Sequence, residues 1–428
     1  MMSVAEEEKD KSGVSRMKDD IEAANAEAVD RMNRGKAVLV DFELAKKVVP
    51  GMKDNMILHV GPPIAYKDMI PAMKVAAQGG LILEGLAKTL EDADRMCLKG
   101  DVEFAPCHEH STVGPMAGVT TASMYVAVVE NAEFGNRAYC NLHEGRGKIL
   151  RFGGYDETIM KRLRWMNTVQ GPLLKEAVKS KPIDLKVIIS KGITMGDEFH
   201  QRFEASSLLF LSQILEPLMN SGSKDSAEVM KFIAEREQYF LNLAMPAAKA
   251  ICDPADGIEH STVVTRLTRN GVGYGIGVSS LKGEWFVGPA EIPKGLYFPG
   301  FTEKDAEHDF GDSAITETIG LGGYATASAP AVTRFIGGNA KDAIQMTLDG
   351  YKVCAGVSRD FLIPSLDFKG APTGIDIIKV NQTGLVPKSN TGIAGHKPGV
   401  GQVGAGVSRA PIEAFRDALR AFAKKYGV

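Results

Sequence analysis

Ala37-Val-Leu-Val-Asp-Phe42 and Met56-Ile-Leu-His-Val60, the second halted by Gly61-Pro62-Pro63, are strands in a sequence that also carries helical patterns. Both are short runs of aliphatic and β-branched residues, which suit a pleated, buried surface. The prolines that follow remove an N–H donor and force a turn. Ahead of these runs residues 21–33 have a helical pattern, and beyond them residues 125–130 form a third buried-type strand that ends at Glu130-Asn131. Strands separated by short helices predict an α/β layer structure.

Working outward, residues 156–253 change to helical periodicity. Asp225-Ser-Ala-Glu228 has capping-box spacing, with Val229, Phe232 and Ile233 following at helical intervals. Leu208, Leu211, Leu215 and Leu218 mark one face of a preceding helix, and Asn220-Ser-Gly-Ser-Lys224 is the turn between the two. Past Gly257 strands return. Residues 262–268 and 274–279 flank Arg269-Asn-Gly271, a hairpin signal because Asn-Gly accepts positive φ at low cost. Glycine-rich turns then alternate with short helices. The chain closes on an amphipathic helix that carries Pro411 in its first turn, then Ile412, Phe415, Leu419 and Phe422 on one face, and Gly427 at its end. The expected architecture is mixed α/β: a charged tail over 1–20, an α/β lobe over 21–154, an all-helical block over 155–256 and a second α/β lobe over 257–428.

Length and composition narrow the function classes. The 428 residues are enough for two or three domains. With 50 basic against 53 acidic residues the net charge is −3, so the basic excess that nucleic acid demands is missing. No run approaches the ~20 apolar residues of a membrane span, and no signal-peptide pattern opens the sequence. Five cysteines without a CxxC do not make a disulfide framework and predict a reducing, cytosolic setting. Glycine is in excess, 46 of 428, and no low-complexity tract accounts for it. Tight turns and close backbone approaches are the expected use.

Five segments combine glycine, histidine, carboxylate and arginine beyond what packing requires. In Pro106-Cys-His-Glu-His110 two histidines at i and i+2 point the same way if the segment is extended, a geometry for proton transfer or ligation; no third metal ligand is fixed by spacing, and a polar loop is the bland alternative. Cys107 reads as a buried, inert thiol. The stretch from Asn131 to Arg151 is basic and glycine-spaced, so Arg146, Lys148 or Arg151 could hold a small anion, but it lacks the frame of a nucleotide phosphate loop. Met195-Gly-Asp-Glu198 suggests a helix start near Asp197, with Glu198 as an acid or base and His200 or Arg202 beside it, or merely an i,i+4 surface pair. Arg266, in a strand, could grip a carboxylate or make a plain salt bridge. Gly311-Asp-Ser313 could open a helix onto an anion or simply cap it. Asn390-Thr-Gly392, with Gly399, Gly401, Gly404 and Gly406, looks like a loop wrapping a ligand.

Taken together, these segments resemble one family over nearly the whole chain. The carrying motifs are Gly61-Pro-Pro, Ala105-Pro-Cys-His-x-His, Val128-Val-Glu-Asn with Phe134-Gly-Asn-Arg137, Met195-Gly-Asp-Glu, Gly257-Ile-Glu-x-Ser-Thr, Leu296-Tyr-Phe-Pro-Gly, Gly311-Asp-Ser-Ala-Ile-Thr-Glu-Thr, Pro372-Thr-Gly-Ile-Asp and Gly399-Val-Gly-Gln-x-Gly-Ala-Gly. They resemble the YlbE/AllG-type proteins, long grouped as a domain of unknown function and now assigned as one subunit of an oxamate carbamoyltransferase. The resemblance implies phosphorolysis of oxalurate to oxamate and carbamoyl phosphate in allantoin breakdown, with carbamate kinase then making ATP. It also implies an oligomer with an FdrA-like, acyl-CoA-synthetase-related subunit and a YlbF-like subunit. Phosphate is the co-substrate and no cofactor is called for, with a metal left open. Many members carry a further segment ahead of the position of Ile21, so the charged start predicts a difference in substrate or partner. The familiar Ser-x-Arg-Thr-Arg and His-Pro-x-Gln carbamoyltransferase signatures are absent.

Such a reaction must bring two anions together, stabilise an oxyanion and protonate a departing amide. Proton transfer is accordingly expected of His108, His110 or Glu198. Anion binding is expected of Asn131, Asn136, Arg137, Arg202, Arg266, Gly311, Asp312, Ser313, Asn390, Thr391 and Gly392. Two other readings stand beside this one: an amidohydrolase acting on a small ureido or cyclic amide, and a non-catalytic scaffold that only binds metabolite or partner.

Overall fold

A computed structural model describes residues 4–145 and 147–427. The fold is mixed α/β, as expected. Its first sheet has five strands in the order Thr112–Val113, Arg137–Asn141, Tyr125–Asn131, Ala37–Leu44 and Ile183–Asp184. The central pair is antiparallel and slips at Leu39/Asp41, while the outer Thr112–Val113 pairs in parallel. The stretch expected to be all-helical therefore supplies one short edge strand, in which Ile183 sits opposite Leu39.

Helix Leu241–Cys252 packs on four strands of this sheet and all twelve of its residues are buried. A helix apolar on every side belongs in a core, and its Lys249 keeps its charge company by pairing with Asp253 at 3.0 Å. The largest apolar core runs from Ala28 to Ala394 and draws on residues of all three expected regions.

The hairpin expected around Asn270-Gly271 is present, with strands Val264–Asn270 and Gly273–Val278 and Gly271 at φ +81°. Phe310–Gly311 pairs against Asn270 and Arg269 and extends that sheet at the edge that faces the site. The glycine-rich stretch from Asn390 to Gly406, expected as a loop, is instead an antiparallel pair, Lys388–Ala394 with Gln402–Arg409. Its glycines admit a third strand, Lys294–Tyr297: a Cβ at Gly406 would lie 2.6 Å from the Lys294 carbonyl oxygen.

Four further local expectations change. The charged start is helical from Val4, continuous with the expected helix as Val4–Arg34; Glu and Lys are good helix formers and no proline interrupts them. Asp225 makes no side-chain cap, because its backbone N–H is taken by Ser223 Oγ and the turn is closed by a Ser221–Ser226 hydroxyl pair. In helix Glu204–Asn220 the buried face is Phe210, Ile214 and Leu218, whereas Leu208 and Leu215 are exposed. Both sets fit helical spacing, and the bulkier Phe210 takes the interior. Finally, no helix begins at Asp197, whose carboxylate instead accepts the Ala205 and Ser206 N–H groups at the start of that same helix.

The long first helix has a buried anchor in Asn25. Asn25 Oδ1 accepts the Thr262 N–H at 2.8 Å and the Ser261 hydroxyl at 3.1 Å, while its Nδ2 donates to Thr262 Oγ1 at 2.8 Å and to Asp376 at 3.4 Å. Removing it strands buried partners, so Asn25→Ala is expected to lower unfolding free energy by about 2–3 kcal/mol in urea titrations; a change within ~0.5 kcal/mol would contradict this role.

Candidate functional site

Between the first core and the glycine-rich sheet lies a cavity of about 400 Å³. Ser313, His200, Arg202, Arg151, Thr391 and Gly392 line it, with Met116, Phe152 and Phe203 as apolar wall. Segments distant in the chain meet here, and backbone constraints explain how.

Gly311 sits at φ +124°, and a Cβ there would lie 2.7 Å from the Met116 nitrogen, so only glycine lets this strand end press against residues 114–118. The next residue, Asp312, is fully buried. Its carboxylate accepts the Gly61 N–H at 2.9 Å, the Gly114 N–H at 2.9 Å and the Thr268 hydroxyl. Burial raises its pKa to about 6, even though those three donors favour the charged form. Asp312 thus ties two loops and a strand together behind the cavity and does not cap the four-residue helix Ile315–Thr318 that follows it.

Ser313 then faces the cavity. Its Oγ lies 2.9 Å from His200 Nε2, and His200 Nδ1 lies 2.7 Å from Glu317 Oε1. Glu317 is held by the Gly323 N–H at 3.1 Å and the Thr316 hydroxyl at 3.0 Å, and a Cβ at Gly322 would overlap its carboxylate. Arg269, buried and paired with Asp309 at 2.7 Å, donates through Nη1 to Ser313 Oγ at 3.3 Å and to the Gly311 carbonyl at 3.2 Å.

The hydrogen-bond directions follow from this inventory. A guanidinium can only donate, so Ser313 Oγ accepts from Arg269, and in the neutral ring whose proton sits on Nδ1 the His200 Nε2 accepts the Ser313 proton. Glu317 can only accept when ionised, so His200 carries its proton on Nδ1. A hydroxyl, an imidazole and a carboxylate in this order form the arrangement by which a serine is made nucleophilic.

The loop carrying His200 is built around Glu198. One Glu198 oxygen accepts the backbone N–H groups of His200 at 3.1 Å, Gln201 and Arg202 at 2.8 Å, and the other accepts from Asn390 at 3.0 Å. Burial raises the pKa of Glu198, and the structure places it as the knot of the loop, outside the cavity lining. Asn390 also donates to Thr326 at 2.9 Å.

The other expected site residues lie elsewhere. Residues 107–110 form a 3-10 turn and are not extended, which sends the two histidines different ways. His108 is buried, neither ring nitrogen has a hydrogen-bond partner among the described residues, and its Nε2 is 3.8 Å from Asp312; burial, then Lys249 and Arg266, push its pKa well down. His110 instead contacts the Pro50 carbonyl at 2.6 Å. Asn131 and Asn136 both donate to the Ala250 carbonyl, pinning a turn to the buried helix. Arg137 is exposed and paired with Glu130 at 2.6 Å. Arg266 stacks over Trp285 at 4.8 Å and donates to the Glu284 carbonyl. Cys107 is fully buried, and burial with Asp312 nearby raises its pKa well above the usual thiol value. Lys148 pairs with Asp156, and Arg146 lies outside the described residues. Among the described residues no three His, Cys, Asp or Glu side chains group to hold a metal ion, and no helix is long and apolar enough to cross a membrane.

Arg269 and Glu317 were not among the expected site residues. Ser313 and Glu317 stand four apart in Gly311-Asp-Ser-Ala-Ile-Thr-Glu317, one helical turn, and that spacing was the available signal.

Comparison with known proteins places the chain in a family. Residues 102–313 match the family described as oxamate carbamoyltransferase subunit AllG. The Escherichia coli K12 protein of that name is 43% identical over 411 residues, covering 95% of this chain and 98% of the relative. The chain belongs to the AllG family. A second Escherichia coli protein, the uncharacterized YahG, is 42% identical over 417 residues, 97% of this chain and 88% of its own length. A crystal structure of a conserved protein of unknown function from Enterococcus faecalis V583 superposes with TM-score 0.94 at 43% identity, covering 95% of this chain and 99% of that one.

Asp312 sets a pH dependence. Its folded pKa of about 6 exceeds the unfolded value of about 3.9, so between those limits the folded chain holds a proton that the unfolded chain has lost. Its contribution is therefore largest at the acid end and is lost as pH rises through about 6. The stability of the wild type relative to Asp312→Asn is expected to fall between pH 4 and 6 and to level off above; a flat difference across that window would contradict the assignment.

Proposed function

We propose that this chain is a subunit of a carbamoyltransferase that cleaves oxalurate, or a closely related ureido acid, with phosphate to give oxamate and carbamoyl phosphate. The observation that carries the reading is the pairing, in one cavity, of two arginines, Arg151 and Arg202, with the Ser313–His200–Glu317 chain. Both reactants are anions, and guanidinium groups recognise carboxylate and phosphate oxygens in the forked manner that suits them. Thr391 and the small Gly392 leave room beside Ser313 for the planar ureido group, and Arg269 is placed to balance charge behind it. The name of the AllG relative supports the same reaction class. In this reading Arg137 and Arg266, which lie outside the cavity lining, serve the surface and the sheet, and proton transfer falls to His200.

The reading includes partners: an FdrA-like subunit and a YlbF-like subunit, assembled in a reducing cytoplasm where all five buried thiols stay free. Phosphate is the co-substrate and no cofactor is invoked. One observation favours a second reading, amide hydrolysis: a serine–histidine–carboxylate chain serves water as an acceptor equally well.

The assembled complex, and the chain alone, are to be given oxalurate and phosphate while carbamoyl phosphate is followed through coupled ATP synthesis. Product formation is expected at least with the partners present, and Arg202→Ala is expected to raise KM for the ureido acid tenfold or more with a smaller change in kcat. Carbamoyl phosphate in neither preparation would defeat the proposal, and release of amide product without phosphate would favour hydrolysis.

A further inference from the structure

We infer that Ser313 is a nucleophile that carries the transferred group as a covalent ester, so that the transfer runs in two steps; this inference rests on the reaction class proposed above. The argument is geometric. The Ser313 hydroxyl lines the cavity, its proton is directed at His200 Nε2 over 2.9 Å, and His200 is oriented from behind by Glu317 at 2.7 Å. Had Ser313 served only to bind an anion, its proton would point into the cavity; the Arg269 donor and the Glu317 acceptor together fix it the other way.

The steps balance as follows. Ser313 Oγ attacks the carbamoyl carbon of the ureido acid while its proton passes to His200 Nε2. The bond from that carbon to the oxamate nitrogen breaks, and the same proton goes to the departing nitrogen, leaving a carbamoyl ester on Ser313. A phosphate oxygen then attacks the carbamoyl carbon, the C–Oγ bond breaks, and Ser313 regains a proton that the phosphate has released to His200. Nothing is oxidised or reduced.

Two physical points favour this route over direct transfer. Oxamate and phosphate are both anions, and a covalent intermediate lets the first leave before the second enters, so a cavity of about 400 Å³ never holds both. The nitrogen lone pair of a carbamoyl ester also feeds into its carbonyl, which slows attack by water and preserves the ester until phosphate binds.

The test uses the assembled complex. Incubated with oxalurate in the absence of phosphate, then quenched in acid and digested, it is expected to show one added carbamoyl group on the Ser313 peptide, lost in Ser313→Ala and reduced at least tenfold in His200→Gln. Labelled oxamate is expected to exchange into oxalurate without phosphate, and initial rates to follow ping-pong kinetics. Phosphorolysis at the wild-type rate in Ser313→Ala, or turnover with phosphate but no oxamate exchange without it, would overturn the covalent route while leaving the proposed reaction standing. Diisopropyl fluorophosphate, which needs no ureido substrate, is expected to label Ser313 in the wild type and at least tenfold less in His200→Gln. Labelling at Ser313 would uphold the nucleophile even if oxalurate proved the wrong substrate, and its absence would overturn it.

Discussion

One buried carboxylate organises everything around it. Asp312 is a point at which the loop after the second strand, the loop before Pro115 and the strand carrying Thr268 share a partner, through Gly61, Gly114 and the Thr268 hydroxyl. A carboxylate taken out of water is costly unless its oxygens are satisfied, and three donors meet that need only if the two loops and the strand converge. Convergence, in turn, sets where the next residue can point. Ser313 is aimed by Asp312 from one side and by the Gly311 turn from the other, so the reactive hydroxyl is held by backbone geometry and not by a flexible tether.

The electrostatics follow the same plan. Arg269 is wholly buried, and its guanidinium is divided among Asp309, the Gly311 carbonyl and Ser313. Such a buried pair contributes less to stability than to position, since desolvation offsets most of its attraction. Here the position matters, because the pair holds an Arg269 N–H donor against the Ser313 oxygen. Cations elsewhere have the opposite effect. Lys249 and Arg266 reinforce burial in keeping His108 neutral, and His108 lies outside the cavity lining, whereas His200 lines the cavity and meets the Ser313 hydroxyl.

How much of this was legible in the sequence depends on distance along the chain. The strand at Ala37, the Asn270-Gly271 hairpin and the last helix were legible, because alternation, turn chemistry and i,i+4 spacing are local rules. Choosing between Leu208 and Phe210 as the buried face was not, since both obey the same period. The Asn390–Gly406 glycines were read as a loop because glycine is flexible in isolation; only the strand Lys294–Tyr297 lying against them shows that close approach is their purpose. His108 and His110 looked like a pair through an assumed extended backbone, and a single 3-10 turn parted them. His200, Ser313 and Arg269 each stood inside a motif that drew notice, yet His200 meets Ser313 across 113 residues and Glu317 across 117. No spacing rule spans that separation.

The imidazole of His200 links Ser313 to Glu317, with its proton on Nδ1. Nitrogen-15-edited proton NMR of the histidine rings reads that proton. A far-downfield, exchange-protected Nδ1–H signal is expected, one that vanishes in His200→Gln and moves sharply upfield in Glu317→Gln. A His200 ring protonated on Nε2 alone, or an Nδ1–H signal indifferent to Glu317, would contradict it.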